Sequence, residues 1–94
     1  MPDSEKVIEK TLVARVKKAK GWAIKMVCTY VSGLPDRLVL IPMGIIFFVE
    51  VKSTGKTASP VQKLIHRQLR KLGFKVYVID TLADLDNLLN EYLI

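Results

Sequence analysis

Two apolar runs joined by a short turn constrain the fold of this sequence more than any other feature. Residues 37–41 and 45–51 are rich in β-branched and aromatic side chains and are bounded by proline and glycine. They predict a β-hairpin with residues 42–44 as its turn. If the three turn residues are unpaired, counting back along both strands places Asp36 opposite Glu50. A shift of one residue in this register would turn Asp36 to the other face of the sheet.

The two opposed carboxylates indicate a metal site. Cβ atoms of directly opposed residues lie roughly 5 Å apart, so Asp36 and Glu50 repel each other unless a cation lies between them. A divalent metal ion accounts for the pair, because such ions are bound by carboxylate oxygens. Lys52 points the same way as Glu50, two residues along the strand. A lysine beside two carboxylates is also what an ordinary surface ion pair looks like, worth about 0.5 kcal/mol.

The remaining segments predict an α/β domain that spans residues 1–94. A strand, a helix of about a dozen residues and another strand form a right-handed crossover, so the last strand should run parallel to the Glu50 strand. The predicted order is α-β-β-β-α-β-α, with a mixed four-stranded sheet flanked by helices. The expected elements are a helix from Asp3 or Ser4 to about Lys20, strands over 22–30, 37–41 and 45–51, a helix capped by Ser59, a strand over 74–79 and a helix capped by Thr81.

The second helix combines an apolar face with many basic residues. A charged run of this kind is either a solvated face or a surface that follows a phosphate backbone. The same two interpretations apply to Lys25 on the first strand. His66 has no metal-binding residue at ligand spacing, so we interpret it as a surface or DNA-facing residue. The apolar residues expected to be buried are Val61, Leu64, Ile65, Leu69 and Leu72, and the candidate DNA-binding residues are Lys25, Lys63, His66, Arg67 and Arg70.

Composition and charge limit the possible partners without identifying one, because a basic protein with no nucleic-acid partner can carry the same charge. The net charge of +6 and the isoelectric point of ≈ 9.6 favour polyanions in general. Cys28 is the single cysteine, which excludes an intrachain disulfide and a thiolate zinc site and fits a reducing cytoplasm. The longest apolar run, residues 45–49, is far too short to span a membrane. Half of the residues are hydrophobic, so we expect part of the apolar surface to serve an interface between two copies.

A wider pattern surrounds the carboxylate pair. In order along the chain stand Gly33-Leu34-Pro35-Asp36, then Phe48-Val49-Glu50-Val51-Lys52, then Gln62, and then Gly73-Phe74 ahead of Lys75-Val76-Tyr77-Val78. This pattern resembles the virus-type replication-repair nuclease domain (VRR-NUC), and the resemblance extends from about Glu5 to about Leu89. It implies a restriction-endonuclease-like PD-(D/E)xK fold and metal-dependent cleavage of DNA.

The resemblance also implies a role for each residue of the site. Asp36, Glu50 and the backbone carbonyl of Val51 would hold Mg²⁺ or Mn²⁺, and Lys52 would orient the attacking water. Family members carry a glutamine that reaches the active site. Gln62 occupies that position, although it also completes a capping box with Ser59.

A further metal ligand is expected from the first helix. The family carries a glutamate there just before an apolar Leu-Val pair, and Glu9 precedes Leu12-Val13 in this chain. The resemblance therefore favours Glu9 as a ligand, direct or through water. Acidic residues near a helix start also favour the helix dipole, which accounts for Glu5 better than for Glu9.

The expected function is that of a structure-specific DNA endonuclease. Single-domain members of the family resemble dimeric Holliday-junction resolvases of phages and bacteria, so we expect a homodimer in the cytoplasm of a bacterial or phage-infected cell. The candidate dimer surfaces are the last helix and an edge of the sheet. The alternatives are a nuclease that cuts or nicks flap or duplex DNA, and a non-catalytic basic DNA-binding module of the same fold.

Overall fold

The computed structural model describes residues 2–93, and it arranges three helices around a four-stranded sheet. The end residues of the predicted domain, 1 and 94, lie outside the described part. The order α-β-β-β-α-β-α is the predicted one. The elements are α1 (Glu5–Lys18), β1 (Trp22–Lys25), β2 (Arg37–Ile41), β3 (Ile45–Val51), α2 (Pro60–Lys71), β4 (Val76–Ile79) and α3 (Leu82–Tyr92).

The sheet has the strand order β1-β2-β3-β4 and is mixed, as expected. β1, β2 and β3 pair antiparallel, and β4 runs parallel to β3. In the hairpin Ile41 lies opposite Ile45 and Arg37 lies opposite Val49, which confirms the three-residue turn and the predicted register. Gly44 has a φ of 73°, a left-handed conformation that glycine adopts without steric cost.

The hydrophobic core lies between one face of the sheet and the two terminal helices. Side chains alternate along a strand, so one set of strand residues faces this core while the residues between them face the other side. Leu85, Leu88 and Leu89 of α3 belong to this core, so the candidate dimer surface on the last helix is reduced to the half-buried Tyr92 and Leu93. The core includes Ile8, Leu12 and Val16 from α1, Val39, Ile41, Phe47, Val49 and Val51 from the hairpin, and Leu85, Leu88 and Leu89 from α3.

α2 lies on the opposite face of the sheet, against β4. Of its residues, all of which the structure describes, only His66 is buried. The predicted burial of its apolar residues is therefore wrong for Val61, Leu64 and Leu72, which are 50%, 49% and 74% exposed. The reason is that α2 turns the side carrying Gln62 and His66 to the sheet and leaves the neighbouring apolar stripe open to solvent.

Two strands and one helix are shorter than predicted. β1 ends at Lys25 instead of residue 30, because its partner strand β2 begins at Arg37. Beyond that pair, the Met26 backbone N–H donates to the carbonyl of Asp36, the residue before β2. β4 begins at Val76 instead of Phe74, whose backbone N–H donates to the Leu69 carbonyl and closes the end of α2. α1 ends at Lys18, two residues before the predicted end.

Candidate active site

The hairpin brings Asp36 and Glu50 together at one end of the sheet. Asp36 comes directly before β2, and Glu50 is the residue before the last of β3. The Arg37–Val49 pairing places them opposite each other one step further along. Asp36 Oδ2 accepts a hydrogen bond of 2.7 Å from the Val51 backbone N–H, which fixes this carboxylate next to Glu50. Glu50 is almost completely buried, with 1% of its surface exposed.

Three further side chains surround the Glu50 carboxylate. Lys52 lies on the same face of the strand, and its Nζ is 3.7 Å from Glu50 Oε2. Gln62 Nε2 donates to Oε2 over 3.3 Å. His66 Nε2 lies 3.5 Å from the other oxygen, Oε1. The structure therefore brings together four of the predicted site residues, Asp36, Glu50, Lys52 and Gln62.

Gln62 has both of the roles that the sequence left open. Its Oε1 accepts from the Ser59 backbone N–H over 2.8 Å, and its own backbone N–H donates to Ser59 Oγ over 3.2 Å, which completes the capping box. The amide nitrogen of the same side chain remains free to donate to Glu50. The start of α2 is thus tied to the carboxylate through a single residue.

The environment of Glu50 disfavours its ionised form. Burial raises the pKa of Glu50 to about 8, assisted by the hydrogen bond with the Asp36 carboxyl and by the Asp36 charge, while Lys52 opposes the shift. Glu50 Oε1 is buried and has no hydrogen-bond partner within residues 2–93. Two crowded carboxylates with an unused buried oxygen fit a hard divalent cation, which takes oxygen ligands and offsets their charge.

The protein offers a divalent cation only a few ligands at this point, namely Asp36, Glu50 and the Val51 carbonyl. Within residues 2–93, no three His, Cys, Asp or Glu side chains form a ready metal-binding group. Mg²⁺ usually keeps several waters and is bound by one or two carboxylates, so this limited set suits it. The residues present therefore fit Mg²⁺ or Mn²⁺ with water completing the coordination.

Glu9 does not reach the carboxylate pair. Its Oε1 accepts from Arg37 Nε over 2.9 Å, and Arg37 Nη2 forms an ion pair with the same oxygen at 2.9 Å. Arg37 follows Asp36 in the strand and so points to the opposite face, where α1 packs. The carboxylate of α1 that acts on Glu50 is Glu5, whose negative charge contributes to the raised pKa of Glu50. The predicted hairpin register could have shown part of this, because Arg37 follows Asp36 and therefore points away from Glu50.

The interpretation of His66 as a surface or DNA-facing residue is wrong, because only 1% of its surface is exposed. It lies four residues after Gln62, one turn along α2, so both side chains face the sheet. Burial lowers the pKa of His66, and the positive charges of Arg70 and Lys52 lower it further, so the imidazole is neutral at pH 7. The helical spacing from Gln62 would have placed it at the site.

Comparisons with known proteins agree with this geometry. No protein-family model matches the sequence. The chain is 45% identical over 85 residues to "Putative nuclease p44" of Acyrthosiphon pisum secondary endosymbiont phage 1, with 90% of each chain covered. A solved structure described as a VRR_NUC domain is 30% identical, with a TM-score of 0.87 over 96% of this chain and 99% of that one. This chain belongs to the VRR-NUC family.

The basic residues of this VRR-NUC chain occupy several places around the site. A cavity of ≈ 510 Å³ lies between α2, β4 and the loop that precedes α2. Lys63 and Arg70 line it together with Lys56, which the sequence did not single out. Arg67 is exposed on α2, and Lys25 is exposed at the end of β1. None of the helices in residues 2–93 is long and apolar enough to cross a membrane.

The raised pKa of Glu50 predicts a pH-dependent loss of stability in the metal-free protein. Because the folded-state pKa of about 8 exceeds the ordinary value of 4.5, folding favours the protonated carboxyl, and stability falls as the pH rises from 4.5 through 8. Glu50→Gln removes this ionisation. In EDTA, the melting temperature of the variant should therefore exceed that of the wild type by a margin that grows from pH 5 to pH 9.

Glu91→Gln is the matched control, since Glu91 is exposed on α3. Its melting temperature should differ from that of the wild type by a similar amount at every pH. If the melting temperatures of Glu50→Gln and the wild type differ by the same amount from pH 5 to pH 9, the raised pKa of Glu50 is contradicted.

Proposed function

We propose that this chain is a metal-dependent DNA endonuclease. The observation that carries the proposal is that Asp36 lies opposite the buried Glu50, with Lys52 and Gln62 against the Glu50 carboxylate. Membership of the VRR-NUC family and the similarity to a phage protein named as a nuclease support it. The site combines hard oxygen ligands with the positively charged Lys52, and this combination suits hydrolysis of a phosphodiester.

In the proposed mechanism each residue has a limited task. Asp36, Glu50 and the Val51 carbonyl would hold Mg²⁺ or Mn²⁺, which would lower the pKa of a water and offset charge on the phosphate. Lys52, 19% exposed, orients the attacking water and stabilises the negative charge that builds up on the phosphate oxygens. Gln62 fixes the orientation of Glu50. Glu9 has no part in this mechanism, because Arg37 holds it on the other face of the sheet.

Substitution of either proposed metal-binding carboxylate should slow cleavage strongly and leave the fold intact. A bound metal supplies several kcal/mol of transition-state stabilisation, so Asp36→Asn and Glu50→Gln should each slow nicking of supercoiled plasmid on the order of a thousandfold. Glu91→Gln should nick at the wild-type rate in Mg²⁺ or Mn²⁺. Wild-type rates in both site variants would refute the assignment, and an inactive wild type that still binds DNA would favour the non-catalytic module.

We propose that DNA is bound through its backbone. The net charge is +6, and Lys56, Lys63 and Arg70 line a cavity next to His66, whose Nε2 approaches Glu50. Such contacts position a phosphate chain without reading bases. Binding should therefore weaken steeply with salt, whatever the base sequence.

We further propose that two copies associate through the apolar surface on the α2 side of the sheet. Leu64 and Leu72 belong to the exposed stripe of α2, and Ile46 of β3 is 44% exposed on the same face of the sheet. α2 lies against β4, so no helix of residues 2–93 covers the β1–β2 part of this face. Exposed apolar side chains on one face of a sheet and its neighbouring helix are typical of an interface.

Association can be tested by light scattering. The wild type should have twice the monomer mass of 10.6 kDa at micromolar concentration. Leu64→Glu and Leu72→Glu place a charge in the proposed interface and should each give the monomer mass. Met43→Glu is the control, because Met43 is 94% exposed at the hairpin turn, and it should remain dimeric. A monomeric wild type would exclude the dimer.

The proposed substrate is a four-way DNA junction. A junction can adopt two-fold symmetry, and its resolution requires two nicks related by that axis. A symmetric dimer with one metal site per copy supplies this geometry without reading bases. A nuclease that cuts flap or duplex DNA remains the alternative function.

A cleavage panel distinguishes these substrates. Four-way junction, flap, single strand and plain duplex of equal length are incubated with the protein in Mg²⁺ and in Mn²⁺. We expect the junction to be cut fastest, on two opposing strands. Equal rates on plain duplex would exclude the resolvase and favour the simpler nuclease.

A further inference from the structure

His66 is the buried polar side chain that the proposed mechanism does not use. It and Glu50 are each 1% exposed, in a protein whose other buried residues are almost all apolar. Within residues 2–93, His66 Nε2 and Glu50 Oε1 are the two buried side-chain atoms without a hydrogen-bond partner. They lie 3.5 Å from each other. A buried polar group without a partner is costly, so two such atoms that face each other are best explained as partners.

The position of His66 is set by the same element that positions Gln62. One turn of α2 separates the two residues, and together they approach both oxygens of Glu50: Gln62 Nε2 at Oε2 and His66 Nε2 at Oε1. A carboxylate has about four acceptor sites on its two oxygens, so two donors leave room for a cation. A formed hydrogen bond is about 2.7–3.2 Å long, and a small rotation of either side chain closes the remaining gap.

We infer that His66 is a positioning residue for Glu50, whose carboxylate it orients towards the divalent cation by donating its Nε2–H to Oε1. The neutral imidazole carries one N–H, and this role requires that proton on Nε2. His66 is not itself a metal ligand in this arrangement, because the nitrogen that faces Glu50 is the protonated one. The inference rests on the proposed function, because it assumes that a divalent cation binds at Glu50.

Partners that hold a metal ligand in place commonly change metal affinity by about 10–100-fold when they are removed. His66→Leu removes the donor but keeps an apolar side chain of similar size. Isothermal titration with Mn²⁺ should show affinity at least about tenfold weaker than that of the wild type. His66→Gln can present an amide N–H close to the original Nε2, so it should bind Mn²⁺ within about threefold of the wild type. Asn87→Leu, at an exposed position of α3, is the control and should bind like the wild type.

Cleavage kinetics separate positioning from substrate binding. His66→Leu should lower kcat while KM for DNA stays unchanged, and His66→Gln should restore most of kcat. A variant that had lost only packing would not be rescued by the polar glutamine. Equal Mn²⁺ affinity in His66→Leu and the wild type would overturn the inference and leave the proposed nuclease intact.

The tautomer of His66 gives a test that needs no variant. Long-range ¹H–¹⁵N spectra of the wild-type protein with saturating Mg²⁺, which keeps Glu50 ionised, should show the imidazole proton on Nε2. A proton on Nδ1 alone would overturn the inference, because the nitrogen that faces Glu50 would then have nothing to donate. A wild type that binds no Mn²⁺ by titration would overturn the proposed function and this inference with it, which distinguishes the two failures.

Discussion

The hydrogen bond from the Val51 backbone N–H to Asp36 Oδ2 is the interaction on which the candidate site depends. The ladder between the two hairpin strands ends at Arg37, so the Asp36 side chain accepts an N–H that lies beyond it. This contact fixes the Asp36 carboxyl next to Glu50 and requires the three-residue turn. One residue more or fewer in the turn would direct Asp36 towards α1 and leave Glu50 without the second carboxylate.

Burial of Glu50 determines which side chains of α2 face the sheet. α2 covers Glu50 with Gln62 and His66, so polar side chains occupy the side of the helix that would normally carry its apolar residues. The apolar stripe is displaced to solvent, where Leu64 and Leu72 remain exposed. α2 therefore buries polar side chains and exposes apolar ones, whereas α1 and α3 bury apolar residues. Such an exception is usual where function competes with packing.

The parts of the fold that depend on local pattern could be predicted from the sequence. Turn length fixed the hairpin register, and the helix between β3 and β4 fixed their parallel pairing. The end of β1 could not be read from its own residues, because it is set by where β2 begins. The buried side of α2 was misjudged because apolar residues were assumed to face the sheet. His66 was misjudged because only metal-binding residues at ligand spacing were considered, whereas its spacing of one helical turn from Gln62 would have placed it at the site.

α2 connects the two halves of the proposed function. Its first turn is held by the capping box, and the same Gln62 side chain donates to Glu50, so a shift of the helix start would move the contact with the carboxylate. Its outward stripe forms part of the proposed dimer surface. A second copy packed against Leu64 would therefore press on the helix that holds Gln62 and His66 at Glu50. Because a packed helix moves as a rigid unit, association through this stripe would act on the geometry of the carboxylate pair.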